Sequence, residues 1–278
     1  MDELPSSLLT IGKNAFSCFS SLIQIKIPSS ITSISDYSFN HCELLSNVEL
    51  PSTLTSIGEN AFTDCYSLIK IVIPSSVKTI GDHAFSNCTS LTQIDIPPSV
   101  ERIGNYAFQQ CKSLTQIDLP SSLSAISDYL FKNCTKLIQI TIPSSVTSIG
   151  NDAFYSCSSL EIIFIPSSVT SIGSNAFNGC LMLNQINIPS SLSCINDRTF
   201  DCCYSLNKID IPASVSSIKD FAFLDCLSLE EITFNSSEIS FNYQSFFNCI
   251  SLKQIKASSS FVQKYKSSFS SEISFTIL

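Results

Sequence analysis

Apolar and polar positions along this chain recur with a period of 23 residues. The unit from Leu137 to Ser159 shows the pattern. Alternation across Ile138, Ile140 and Ile142 predicts a short strand with one buried face. Pro143 ends it, because proline has no N–H to donate to a ladder. Val146 to Ile149 predict a second extended piece. Asp152 to Cys157 predict one short helical turn with Ala153 and Phe154 facing inward. A single unit cannot bury its apolar face alone, whereas stacked units bury a continuous core. The predicted fold is therefore a solenoid of about twelve 23-residue rungs, with a parallel main β-sheet and short extended or helical segments on the other side.

The columns of the repeat carry the rest of the prediction. Ten prolines, from Pro5 to Pro212, keep the register, and only Pro98 departs from it. Twelve phenylalanines, from Phe16 to Phe269, and eleven leucines, from Leu22 to Leu252, keep it without a gap. Such columns face the core. Of the two positions after proline, the first accepts Pro98 and Ala213 and is expected to face solvent. The second keeps a hydroxyl in every rung from Ser7 to Ser260, which predicts a buried ladder satisfying backbone groups. The glycine column (Gly12, Gly58, Gly81, Gly104, Gly150, Gly173) is interrupted by Ser35, Ser127, Asn196 and Lys219. Serine and lysine avoid positive φ, so no strict left-handed conformation is expected there.

Residues 1–278 read as one solenoid domain. Residues 1–22 read as a truncated first repeat, opening at Leu4-Pro5 with no strand before it. Residues 235–278 read as degenerate repeats and a candidate cap: Asn235 and Ser258 replace proline, and Glu238 and Lys264 replace core aliphatics.

The unit L-x-x-I-x-I-P-S-S-V-T-S-I-G-x-x-A-F-x-x-C-x-S resembles the BspA-type leucine-rich repeat, found in surface-antigen-like proteins of bacteria and of protist parasites such as Trichomonas and Entamoeba. The resemblance covers essentially the whole chain. It departs from the common leucine-rich repeat in placing Ser where that repeat has a ladder Asn. It implies a leucine-rich-repeat solenoid, a role in adhesion or surface recognition and a cell-surface or secreted location. It implies no catalytic residues.

Composition narrows the function classes. With 44% apolar and 14% charged residues, the chain is a core-former. Its net charge of −8 and scattered basic residues argue against a nucleic-acid partner, which needs clustered Lys and Arg. No apolar run is long enough to span a membrane, and Met1-Asp2-Glu3-Leu4-Pro5 lacks the apolar core of a signal peptide. Ten of thirteen cysteines are in phase, from Cys42 to Cys249, and read as small buried hydrophobes. With no C-x₂-C pair, a metal site is not expected. Cys18, Cys194 and Cys202 fall outside that column, and Cys202 is expected to be the most exposed thiol. His41 beside Cys42 suggests a nucleophilic pair only superficially, since Cys42 is an in-phase core residue. No phosphate-loop, nucleophile-elbow or zinc-protease motif occurs, so neither an enzyme nor a cofactor is expected.

What remains is the outward face of the main strands. Its columns include Gln93, Asp95, Gln116, Asp118, Gln139, Thr141, Ile162, Phe164, Gln185 and Asn187, the expected ligand-binding residues. Asp95 and Asp118 are expected side by side, and the stacked glutamines are expected to bond from rung to rung. Ile162 and Phe164 break the polar face with an apolar spot of the kind that anchors a partner. The expected function is recognition or adhesion toward a protein or glycan. The alternative is an intracellular interaction scaffold of the same fold.

Overall fold

The computed structural model describes residues 2–278. Its backbone winds into a parallel β-solenoid of about eleven turns. Each turn has three sides, and each side is bonded to the next turn in its own way.

The first side is the main sheet. Its strands, such as Gln24–Lys26, Gln116–Asp118 and Gln139–Thr141, pair in parallel exactly one repeat apart, Gln116 with Gln139 and Asp118 with Thr141. Each strand buries its central residue and exposes its two flanks. Asp2–Glu3 also pairs in parallel, with Ile25–Lys26, so a strand does precede Pro5, contrary to expectation. Ile138 is exposed and lies outside the strand that begins at Gln139; only Ile140 and Ile142 of that trio are buried.

The second side is a minor sheet of two-residue strands such as Ser56–Ile57 and Thr79–Ile80. Just after each strand lies the glycine column. Its residues do not have positive φ, in line with the sequence. Glycine is needed for a different reason: a Cβ at Gly81 would sit 2.6 Å from the Gly58 carbonyl carbon, and one at Gly173 2.5 Å from the Asn151 nitrogen. This closeness lets Gly81 N–H donate to the Ile57 carbonyl at 2.8 Å. Where serine or asparagine stands instead, the side chain reaches the same acceptor: Ser35 Oγ to Ile11 O at 2.6 Å, Ser127 Oγ to Ile103 O at 2.5 Å and Asn196 Nδ2 to Ile172 O at 2.6 Å.

The third side was expected to be a helical turn across Asp152 to Cys157. It is instead a run of tight turns. The cause is two left-handed residues four apart in each rung, such as His83 (φ 55) and Asn87 (φ 61), or Asp152 (φ 52) and Ser156 (φ 56). A left-handed residue ends a right-handed helix. Here it turns alternate N–H groups along the stack. His83, Phe85 and Asn87 donate to Asn105, Ala107 and Gln109 of the next rung at 2.7–2.9 Å, while Ser86 and Cys88 close turns within their own rung.

The core between these sides is built from columns. Rings from Phe16 to Phe246 stack at centroid spacings of 5.1–5.8 Å. The leucines from Leu22 to Leu229 are buried. Nine of the ten in-phase cysteines are buried, and Cys249 is half-buried. Each in-phase thiol donates to the carbonyl of the preceding rung's phenylalanine, as from Cys134 to Phe108 at 3.1 Å. Cys18, not Cys202, is the fully exposed thiol. The hydroxyl column forms its ladder, Ser76 to Leu54 O at 2.6 Å and Ser99 to Val77 O at 2.8 Å, although its residues are half-buried or, as at Thr53 and Ser122, exposed rather than buried.

At the far end the turn shortens. Gln254 pairs with Ser274, only 20 residues on, and helix Ser259–Tyr265 stands where earlier rungs have the minor strand of the second side. Phe261 of that helix is fully buried, 4.5 Å from Phe234. Glu238 and Lys264 avoid the core by pointing outward, and Ile239 is buried beside them.

Candidate recognition surface

The outward residues of the main strands form one face. All ten expected residues, from Gln93 to Asn187, are exposed on it. Gln139 pairs with Ile162, and Ile162 with Gln185, so the apolar spot sits between two glutamine rungs. Phe164 is 60% exposed and Ile162 37%. Around Phe164 lies a shallow groove of about 470 Å³, lined by Gln139, Thr141, Ile142, Ile162, Ile165 and Pro166 among others.

Three details differ from expectation. Within the expected face the glutamines do not bond from rung to rung: Gln93 Nε2 reaches Asp95 Oδ1 of its own strand at 2.9 Å, and the amides of Gln116, Gln139 and Gln185 have no protein partner among the described residues, whereas Gln254 Nε2 does reach the next rung, at Thr276 Oγ1 3.0 Å away. The strands of Asp95 and Asp118 lie next to each other, but no ladder joins them, because the main sheet is interrupted there. Asn187 is not free to bind. Its Oδ1 accepts from Ile165 N and its Nδ2 donates to Ile165 O, both at 2.8 Å. It thereby takes the place of a strand backbone and fixes the segment that carries Phe164.

The sequence reading also missed apolar surface. Ile69 and Val72 are more than half exposed, and Val72 lines a second groove of about 560 Å³ with Asn47, Glu49 and Lys70. A separate stripe of Leu181, Tyr204 and Ile250 stands where earlier rungs carry Thr89, Lys112, Thr135 and Ser158. The signal was a polar column turning apolar.

The reactive groups elsewhere are engaged in the structure. Cys42 donates to Phe16 O at 3.0 Å, and burial pushes its thiol up to about 11. His41 lies 3.1 Å from Asp64, not against that sulfur. Asp201, Cys202 and Asp225 are the one trio of potential metal ligands among the described residues. The Asp201 carboxylate already pairs with Arg198 at 2.8 Å and with Asn178 at 3.2 Å, and burial raises the Cys202 thiol to about 11.

Comparison with known proteins decides the family. The model of the BspA type leucine rich repeat region matches in six copies over residues 3–92, 78–204 and 147–276. The chain belongs to the BspA-type leucine-rich-repeat family. Solved structures agree with that placement. A leucine-rich repeat protein from Bacteroides ovatus is 30% identical over 99% of this chain and 83% of its own, with a TM-score of 0.66. A leucine rich cell surface protein from Faecalibacterium prausnitzii is 27% identical over 91% of this chain and 86% of its own, with a TM-score of 0.53. A leucine-rich repeat protein of T. pallidum is 31% identical over 65% of this chain and 76% of its own, also with a TM-score of 0.53. No curated protein matches the chain. The BspA-type solenoid is in general an interaction fold, and no helix among the described residues is long and apolar enough to cross a membrane.

Proposed function

We propose that this BspA-type chain is a recognition or adhesion module of the surface-antigen kind. Its partner is a protein or glycan of a host or neighbouring cell, and not a nucleic acid. The ligand face is the outward side of the main sheet, centred on Gln116, Asp118, Gln139, Thr141, Ile162, Phe164 and Gln185, with Gln93 and Asp95 at its edge. What carries this reading is Phe164: an aromatic side chain 60% exposed beside a groove, flanked by amides that no protein group occupies. An apolar anchor inside a polar rim is the usual arrangement of a binding hot spot. The rungs beneath hold this face rigid, which lowers the ordering cost of binding. Asn187 enters as a positioning residue rather than a contact.

The test is a cell-binding or pull-down assay with the Phe164→Ala, Ile162→Ser double variant. Loss of a hot spot worth about 2 kcal/mol weakens binding roughly 30-fold. Undiminished binding by a folded double variant places the site elsewhere.

One observation favours a second reading, an intracellular scaffold. All thirteen cysteines are free, and free thiols suit a reducing compartment. Antibody labelling of intact cells separates the two: labelling supports a surface module, and labelling only after permeabilisation supports the scaffold.

A further inference from the structure

The bonding between neighbouring rungs is uneven, and one interface stands apart. The main sheet is interrupted after Asn47–Glu49, after Gln93–Asp95 and before Lys208–Ile211. The minor sheet is interrupted after Arg102–Ile103 and after Ser171–Ile172. Among the described residues, both interruptions coincide only between the rung that begins at Gln93 and the rung that begins at Gln116. The interface one rung earlier has Thr92 N donating to Ile69 O at 3.0 Å and Glu101 N to Lys78 O at 2.9 Å. The equivalent donors one rung later, Thr115 and Ser124, have no such bond among the described residues.

The sequence supplies a cause. The rung that begins at Gln116 departs from the repeat at two places where rungs approach most closely. Ser127 stands in the glycine column, and its hydroxyl rather than its N–H reaches the Ile103 carbonyl at 2.5 Å. Leu130 stands in a column otherwise filled by Ala, Ser or Thr (Ala107, Ala153, Thr199) and is fully buried. Added volume in a close-packed interior is accommodated by backbone shifts. The Phe108 N to Leu130 O bond is correspondingly 3.1 Å, against 2.8–2.9 Å for its counterparts from Phe16 to Phe223.

The outer part of the third side holds firm at the same interface. Gln110 N donates to Lys132 O at 2.7 Å, and the rings of Tyr106 and Tyr129 stack 4.2 Å apart. Ser122 and Ser127 hydroxyls also bridge the gap, to Val100 and Ile103 carbonyls at 2.5 Å.

We propose that this interface is a hinge built into the solenoid. The rungs up to Thr115 and those from Gln116 onward behave as two stiff stacks that flex about the turn side, opening and closing the two sheets like a book about its spine. Rungs of a solenoid contact only their neighbours, so a weak interface localises motion rather than spreading it. Gln93 and Asp95 lie on one stack and the Phe164 groove on the other, so flexing changes the spacing between them.

The test is residue-resolved hydrogen exchange on the full chain. The Thr115 and Ser124 amides are expected to exchange roughly two- to tenfold faster than Thr92 and Glu101, the equilibrium factor of one net hydrogen bond. The Ser127→Gly, Leu130→Ala variant removes both departures and is expected to slow the first group to the rate of the second. Equal protection of the two groups in the wild type overturns the hinge, and this comparison stands whether or not the variant folds. Fast exchange that the folded variant leaves unchanged overturns the assignment to Ser127 and Leu130.

Discussion

The in-phase cysteines show how a side chain is chosen at the residue scale. A neutral thiol is small, apolar and still a donor, so it fills the core and bonds the phenylalanine carbonyl of the rung before. Burial pushes the Cys134 thiol from 9.0 up to about 12. A raised thiol pKa means that the folded state holds its proton while the unfolded state loses it between those values. Stability is therefore complete below pH 9 and falls above it, by about 1.4 kcal/mol per pH unit for each such thiol. Urea unfolding at pH 7 and pH 10 measures this, and an unchanged midpoint contradicts it. Cys134→Ala is expected to lower thermal stability modestly, whereas Cys134→Arg buries an unpaired charge and is expected to destabilise by about 3–5 kcal/mol. The glycine column gives a sharper contrast. Gly81→Ala drives a Cβ into the backbone of the rung before and is expected to cost about 1–3 kcal/mol, while Gly12→Ala, with nothing within 4 Å, is expected to cost nothing in thermal unfolding. Core columns of this kind were legible because each holds one residue type. The thiol and serine hydrogen bonds gave no such signal beyond their persistence.

At the scale of the element, the turn side is where the sequence said least. The left-handed positions carry Asn60, Tyr106, Tyr129, Arg198 and Phe221 alike. Local preference favours Asn there and disfavours the aromatic residues by about 1 kcal/mol or more each. Tertiary bonding overrides that preference, since the N–H groups of Asn60, Tyr106, Tyr129 and Arg198 are each claimed by the next rung, which a helical turn would not allow. The strand register, in contrast, was legible, because Pro ends each main strand at a fixed offset from the buried Ile. The Asn187 clamp was not, because an asparagine in an outward column looks like any polar surface residue. Asn187→Ala strands the Ile165 N–H and carbonyl, and is expected to lower thermal stability by about 1–3 kcal/mol. It is also expected to weaken partner binding through displacement of Phe164, although its own amide touches no ligand. A thermal midpoint identical to wild type contradicts the clamp.

For the whole molecule, stacking turns a modest repeat into a long face that is stiff on either side of the proposed hinge. The inward columns are fixed by packing, so the outward ones are where rungs differ from one another. They differ most around Ile162 and Phe164 in the middle of the stack and along Leu181, Tyr204 and Ile250 on another edge. The solenoid architecture was legible from period alone; the ligand face was legible as a set of columns, but not the interruption between the strands of Asp95 and Asp118. Two exposed apolar regions on one rigid body permit a direct comparison. The deciding measurement is a binding titration on target cells with wild type, the Phe164→Ala, Ile162→Ser variant and a Leu181→Ser, Tyr204→Ser variant, each verified as folded by its thermal midpoint. Recognition through the main-sheet face predicts a roughly 30-fold loss for the first variant and wild-type affinity for the second. Retained affinity in the first variant with loss in the second contradicts it.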